Sequence, residues 1–140
     1  MILVDAGPLV AAAIRNDAHH ERCAREFERL FKEGHDLGVT GFVAAEVCYW
    51  LGKASARLEA AFLRSLESGL MTLVDLTKAD LARVAVLVER YADLPLGGGD
   101  ASVVAVAERL KINQVFTIDV RHFSVVRPVH VPAFSLLPSN

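Results

Sequence analysis

The chain has 140 residues, 53% of them apolar and 23% charged, enough for one hydrophobic core and unlike a low-complexity or disordered polypeptide. A formal net charge of −2 supplies no overall basic field, so a polyanion must be met by a local patch or by bridging cations. Two cysteines make no disulfide framework and no apolar run approaches a membrane span, so a cytoplasmic protein without membrane contact is expected.

Met1 leads straight into Ile2-Leu3-Val4 with no basic region, which argues against a signal peptide. Residues 1–4 read as a buried strand that stops at Asp5-Ala6-Gly7-Pro8, where Asp suits an N-cap and Pro a first helical turn. A helix is predicted over 9–15, broken by Asn16-Asp17. An amphipathic helix follows over 19–32, with Cys23, Phe27, Leu30 and Phe31 on its apolar face. A short strand at 37–39 precedes a helix capped by Thr40 and running to Leu51, then a helix over 54–66 and a strand over 71–74. Thr77 opens a helix to Tyr91. After a loop holding Pro95 and Gly97-Gly98-Gly99, Asp100 opens a helix to Leu110. A strand at 114–118 ends at Asp119, and the apolar run 125–131, broken by Pro128, reads as an edge strand. This order predicts an α/β fold in one domain over 1–140, a three-layer sandwich whose central, mostly parallel sheet is flanked by helices.

Four acids occupy telling positions. Asp5 and Asp119 follow strands, where open parallel sheets place their active sites. Asp100 lies on the stripe of Val103, Val104 and Ala107. Glu46 falls among Phe42, Val43, Val47 and Trp50, read as the apolar face of its helix. Each has an ordinary explanation as well: a helix cap for Asp5 and Asp100, a turn for Asp119, and a buried Arg partner for Glu46. Gathered together they would repel one another and raise each other's pKa values, and one or two Mg²⁺ or Mn²⁺ ions would relieve that repulsion. Such a site suits phosphoryl chemistry by a metal-activated water.

Other patterns carry less. His19, His20 and Cys23 lack the remaining ligands of a zinc site and read as a solvated helix start. The glycine triplet is neither a Walker loop nor a dinucleotide fingerprint. It is read as flexibility allowing close backbone approach near Asp100. Asp5-Ala6-Gly7 lacks the Asp-x-Asp of an aspartyl-phosphate phosphatase, and Ser102 lacks a Gly-x-Ser-x-Gly elbow. Tyr49 and Trp50 are read as core or interface residues in preference to base-stacking platforms.

Four blocks together resemble the PIN-domain family, particularly the VapC toxins of toxin–antitoxin pairs. They are Ile2-Leu3-Val4-Asp5-Ala6-Gly7-Pro8-Leu9-Val10, Val43-Ala44-Ala45-Glu46-Val47, the run from Gly99-Asp100-Ala101 to Ala107, and Phe116-Thr117-Ile118-Asp119-Val120-Arg121-His122-Phe123. The resemblance implies a PIN-like fold and Mg²⁺- or Mn²⁺-dependent RNA cleavage, with Asp5, Glu46, Asp100 and Asp119 as catalytic and metal-binding acids. Asp5 and Asp100 would be the direct ligands. Thr117 matches a supporting hydroxyl, and Arg15, Arg121 and His122 are candidate RNA contacts. A homodimer and a small antitoxin partner are implied, with the apolar helices between Ala11 and Leu66 as surface for both. Ala6 departs from the pattern, standing where Thr or Ser often follows the first Asp, which bears on the detailed metal geometry. A non-catalytic PIN-like binding module and a small-phosphate phosphohydrolase are the alternatives.

Overall fold

Short strands of unbroken apolar character belong where both faces of a sheet are covered, and Ile2, Leu3 and Val4 are all buried. The computed structural model describes residues 1–139, so the last position of the expected domain lies outside the described residues. In chain order the elements are β1 (Ile2–Val4), α1 (Ala6–Ala13), α2 (His20–Lys32), β2 (Leu37–Thr40), α3 (Gly41–Ala54), α4 (Ala56–Glu67), β3 (Thr72–Val74), α5 (Lys78–Arg90), α6 (Gly98–Leu110), β4 (Gln114–Phe116), α7 (Val120–Val125) and β5 (Ser135–Leu137). The strands form one sheet in the order β3-β2-β1-β4-β5, parallel at every pairing. Right-handed crossovers then place α1 to α4 on one face and α5 to α7 on the other. This is the expected three-layer α/β arrangement.

The core runs through both interfaces. Phe116 on β4 and Phe27 on α2 meet with ring centroids 4.6 Å apart, and Leu30, Leu37, Val39 and Val115 are fully enclosed around them. Helix α6 is buried continuously from Ala101 to Glu108, more than the single stripe expected of it. Its outer side is covered by α5, tied to it by two buried acids. Glu108 accepts from Arg83 Nε at 2.7 Å and from Arg83 Nη2 at 3.0 Å. Asp80, in the capping box of α5, accepts from Arg109 Nε at 3.1 Å. Both carboxyls are held below their ordinary range by these partners, against the opposing effect of burial.

The predicted edge strand over 125–131 is corrected. Its donors are already engaged: Val126 N closes α7 on His122 O, Arg127 N donates to Tyr91 Oη, and Val129 N donates to Glu108 Oε2. Pro128 has no N–H to give. The edge of the sheet is β5, further along, between Pro132 and Pro138.

Candidate metal centre

The strand order contains one reversal. From β1 the chain steps to β2 and β3 on one side, then returns across the sheet to β4 and β5 on the other. A crevice opens at such a switch point, outside the carboxyl ends of β1 and β4. Here it is a cleft of about 610 Å³ whose lining includes Asp5, Glu46, Asp100, Asp119 and Arg121. All four acids singled out from the sequence therefore meet in one place.

Register sets the first of them. Val4 stands beside Phe116, and Asp5 N donates to Phe116 O at 2.9 Å, so the residues after β1 and β4 leave the sheet side by side. Asp5 Oδ1 caps α1 through Ala6 N at 2.9 Å, and Oδ2 accepts from Thr117 Oγ1 at 2.8 Å. Thr117 Oγ1 in turn accepts from Asp119 N at 2.9 Å, so one buried hydroxyl fixes two acids. Asp119 caps α7, accepting from His122 N at 3.1 Å through Oδ1. The capping reading of Asp5 is thus correct and compatible with a shared site. Asp100 is no cap: Gly97 holds that position and Asp100 sits in the first turn of α6.

Glu46 arrives by another route. Thr40 ends β2 and caps α3, accepting from Val43 N at 3.2 Å. Its hydroxyl lies 2.7 Å from Ser102 Oγ, which donates to Gly99 O at 2.6 Å. This buried chain locks the start of α3 to the start of α6, and so Glu46 to Asp100. Gly99 lies in the first turn of α6 and is no flexible loop residue. A Cβ there would stand 3.2 Å from Glu46 Oε2, so glycine admits the carboxylate to the helix start. The face of α3 that is buried carries Val43, Ala44, Val47 and Leu51. Phe42, Glu46 and Trp50 lie on its open side, contrary to the apolar stripe assumed for them.

Burial, then the nearby charge of Asp100, pushes Asp5 up to about 7 against its bonds from Thr117 and Ala6. Asp100 is also raised, by burial, although His122 opposes the shift. Glu46 is raised by partial desolvation and by Asp100. Three carboxyls held above their ordinary range in one cleft form an oxygen-rich set that a hard divalent cation would relieve. Asp100, Asp119 and His122 each offer an atom within 4.8 Å of the others, the one such group among the described residues.

His122, a candidate RNA contact from the sequence, stands among the acids. Its Nδ1 lies 2.7 Å from Asp100 Oδ2 and 2.9 Å from Asp119 Oδ2, inside the acid cluster. The signal in the sequence is Asp119-x-x-His122, an i, i+3 pair visible once α7 is recognised. Arg121 lines the cleft and is exposed, whereas Arg15 is exposed beyond the end of α1 and takes no part in the lining.

A model of the PIN domain matches residues 2–127. Ribonuclease VapC26 of Mycobacterium tuberculosis is 29% identical over 138 residues, covering 98% of this chain and 100% of that protein. Among solved structures, M. tuberculosis VapC20, described as a Sarcin-Ricin loop cleaving toxin, superposes with a TM-score of 0.79 at 20% identity, over 94% of this chain and 98% of its own. VapBC2 from Rickettsia felis, bound to a DNA fragment from its promoter, gives 0.66 at 16% identity over 97% of both chains. FitAcB from Neisseria gonorrhoeae gives 0.60 at 22% identity, over 88% of this chain and 91% of its own.

Proposed function

The chain belongs to the PIN-domain family, and from that premise we propose that it is a VapC-type, Mg²⁺- or Mn²⁺-dependent endoribonuclease, the toxin of a toxin–antitoxin pair. The observation that carries this reading is the convergence of Asp5, Glu46, Asp100 and Asp119 on one cleft at the switch point of the sheet. Asp5 and Asp100 would hold the cation directly, while Glu46 and Asp119 would complete its surroundings and orient a water through their carboxylate oxygens. A divalent ion bound there lowers the pKa of water and offsets charge on the phosphoryl group and the leaving oxygen. Thr117 keeps Asp5 and the start of α7 in register, and His122 steadies Asp100 and Asp119. Arg121, at the cleft wall, is suited to an RNA phosphate.

Cleavage of a panel of structured RNAs is expected with Mg²⁺ or Mn²⁺ and is expected to stop with EDTA. Undiminished cleavage in EDTA would remove the metal-dependent mechanism. Turnover of small phosphate esters without RNA cleavage would assign the site to a phosphohydrolase.

The partner we infer is a small antitoxin, and the functional pair is built on a toxin homodimer. Between α1, α2, α3 and α4 runs a groove of about 440 Å³ lined almost entirely by apolar side chains, among them Ala12, Phe27, Phe31, Leu58 and Ala61. Such a groove suits an amphipathic helix, and it lies apart from the acids. Ala61 is exposed on its wall, so Ala61→Arg is expected to weaken capture of the co-expressed antitoxin at least tenfold, about 1.4 kcal/mol, with RNA cleavage by the free toxin unchanged. Unaltered co-purification would place the antitoxin elsewhere.

A further inference from the structure

The open side of α3 holds the one tryptophan of the chain. Trp50 is 48% exposed and Tyr49 57%, so neither is a core residue. Their rings meet edge to face at 5.2 Å, and Lys53 Nζ lies 4.6 Å from the Tyr49 ring centroid and 5.6 Å from that of Trp50. Large apolar groups left in water in this way call for an explanation by contact.

Their position supplies one. Trp50 follows Glu46 by four residues, one turn along the same helix face. It walls a hollow of about 210 Å³ lined also by Val10, Asp17 and Ile118. Ala6, Gly7, Glu46 and Ile118 line both this hollow and the acid cleft, so the two are continuous. Gly7 lets Ile118 pack closely where the two meet, since a Cβ there would fall 2.9 Å from Ile118 Cγ1. A flat ring, aliphatic walls and an ammonium above the aromatic pair, next to a site for a phosphodiester, match an unpaired nucleotide: base on the ring, backbone phosphate toward the lysine.

We propose that Trp50 stacks an unpaired base of the RNA beside the scissile phosphate, with Lys53 taking a flanking phosphate. This deepens the ribonuclease reading and rests on it. Stacking tolerates any base, because every base has a π-face. It therefore sets register without fixing sequence. The hollow contributes position, not catalysis.

Trp50 reports on itself, as no other tryptophan contributes fluorescence. In the Asp100→Asn protein, which is expected to bind without cutting, oligoadenylate and oligouridylate should quench Trp50 emission. An abasic ribose-phosphate oligomer of equal length should not. Trp50→Ala is expected to weaken oligoadenylate binding, read by anisotropy of a labelled oligomer, by roughly 5- to 150-fold, the range of one base stack. Trp50→Phe should restore most of it. Binding by anisotropy without quenching, or equal losses in Trp50→Ala and Trp50→Phe, would overturn the assignment while leaving the ribonuclease reading intact. A fall in sedimenting mass of Trp50→Ala with unchanged oligomer affinity would also overturn it, marking the ring as a protein interface. If the parent chain neither binds nor cuts RNA in any assay, both readings fall together.

Discussion

Asp100→Asn and Asp5→Asn are each expected to lower RNA cleavage at least about a hundredfold, roughly 2.7 kcal/mol of barrier, while making the metal-free protein more stable than its parent. A residue kept for stability behaves in the opposite way. Asp5 is 5% exposed and its carboxyl is pushed from 3.8 up to about 7. Between those values the folded chain holds a proton that the unfolded chain has released, so stability falls as pH rises through that window. Glu46 and Asp100 are displaced in the same direction. Metal-free protein should therefore melt higher at pH 5 than at pH 7.5, and Asp5→Asn should flatten that slope. At pH 7.5 the substitution is expected to raise the melting temperature by several degrees, at about 4 °C per kcal/mol for a chain of this size. Mg²⁺ or Mn²⁺ should stabilise the parent by mass action and the variant far less. Scanning calorimetry across pH, with and without metal, measures all of these; a melting temperature that falls on Asp5→Asn would mean that the acids do not strain one another.

Glu108→Ala is expected to show the reverse pattern, a loss of about 3–5 kcal/mol in stability with cleavage per folded molecule unchanged. Glu108 is 7% exposed and accepts both a two-pronged contact from Arg83 and the amide of Val129. Truncation leaves a half-buried guanidinium and a backbone donor without their acceptor, which costs more than the pair contributes. The carboxyls of Glu108 and Asp80 lie below their ordinary range, so what they add is present at neutral pH and lost as the solution is acidified through the folded-state pKa values. Opposite slopes from the two groups of acids place the stability maximum of the metal-free chain on the mildly acidic side of neutrality. Urea denaturation of Glu108→Ala at several pH values tests this; a loss under about 1 kcal/mol would show that α5 and α6 are held by packing alone.

The fold class was legible because short strands, fully buried in β1 and β2, alternated with amphipathic helices, a pattern with few solutions. The site was legible for mixed reasons. Asp5 was found from its place at the end of β1, which the register bears out. Glu46 was found through an apolar stripe that the structure does not contain: Phe42 and Trp50 beside it face outward, and its neighbour is the Cα of Gly99 on another helix. Contact between α3 and α6 has no trace in either segment alone. The error over 125–131 has the same root, since its donors are taken by Tyr91 and Glu108, far away in sequence. His122 was noticed for its charge, but its place between two carboxylates depends on the short helix α7, which β-branched residues concealed.

The bond from Thr117 to Asp5 joins residues 112 positions apart, and its place in the sheet has a consequence for biosynthesis. Strand β1 leaves the ribosome well before its partner β4, which is made after more than a hundred further residues. Closing so long a loop is among the slow steps of folding. Until β4 inserts, Asp119 and His122 have no fixed relation to Asp5, and the acid cluster is incomplete. On the ribonuclease reading, topology alone therefore delays the assembly of an active site until β4 and α7 have been made and inserted, before any inhibitor is bound.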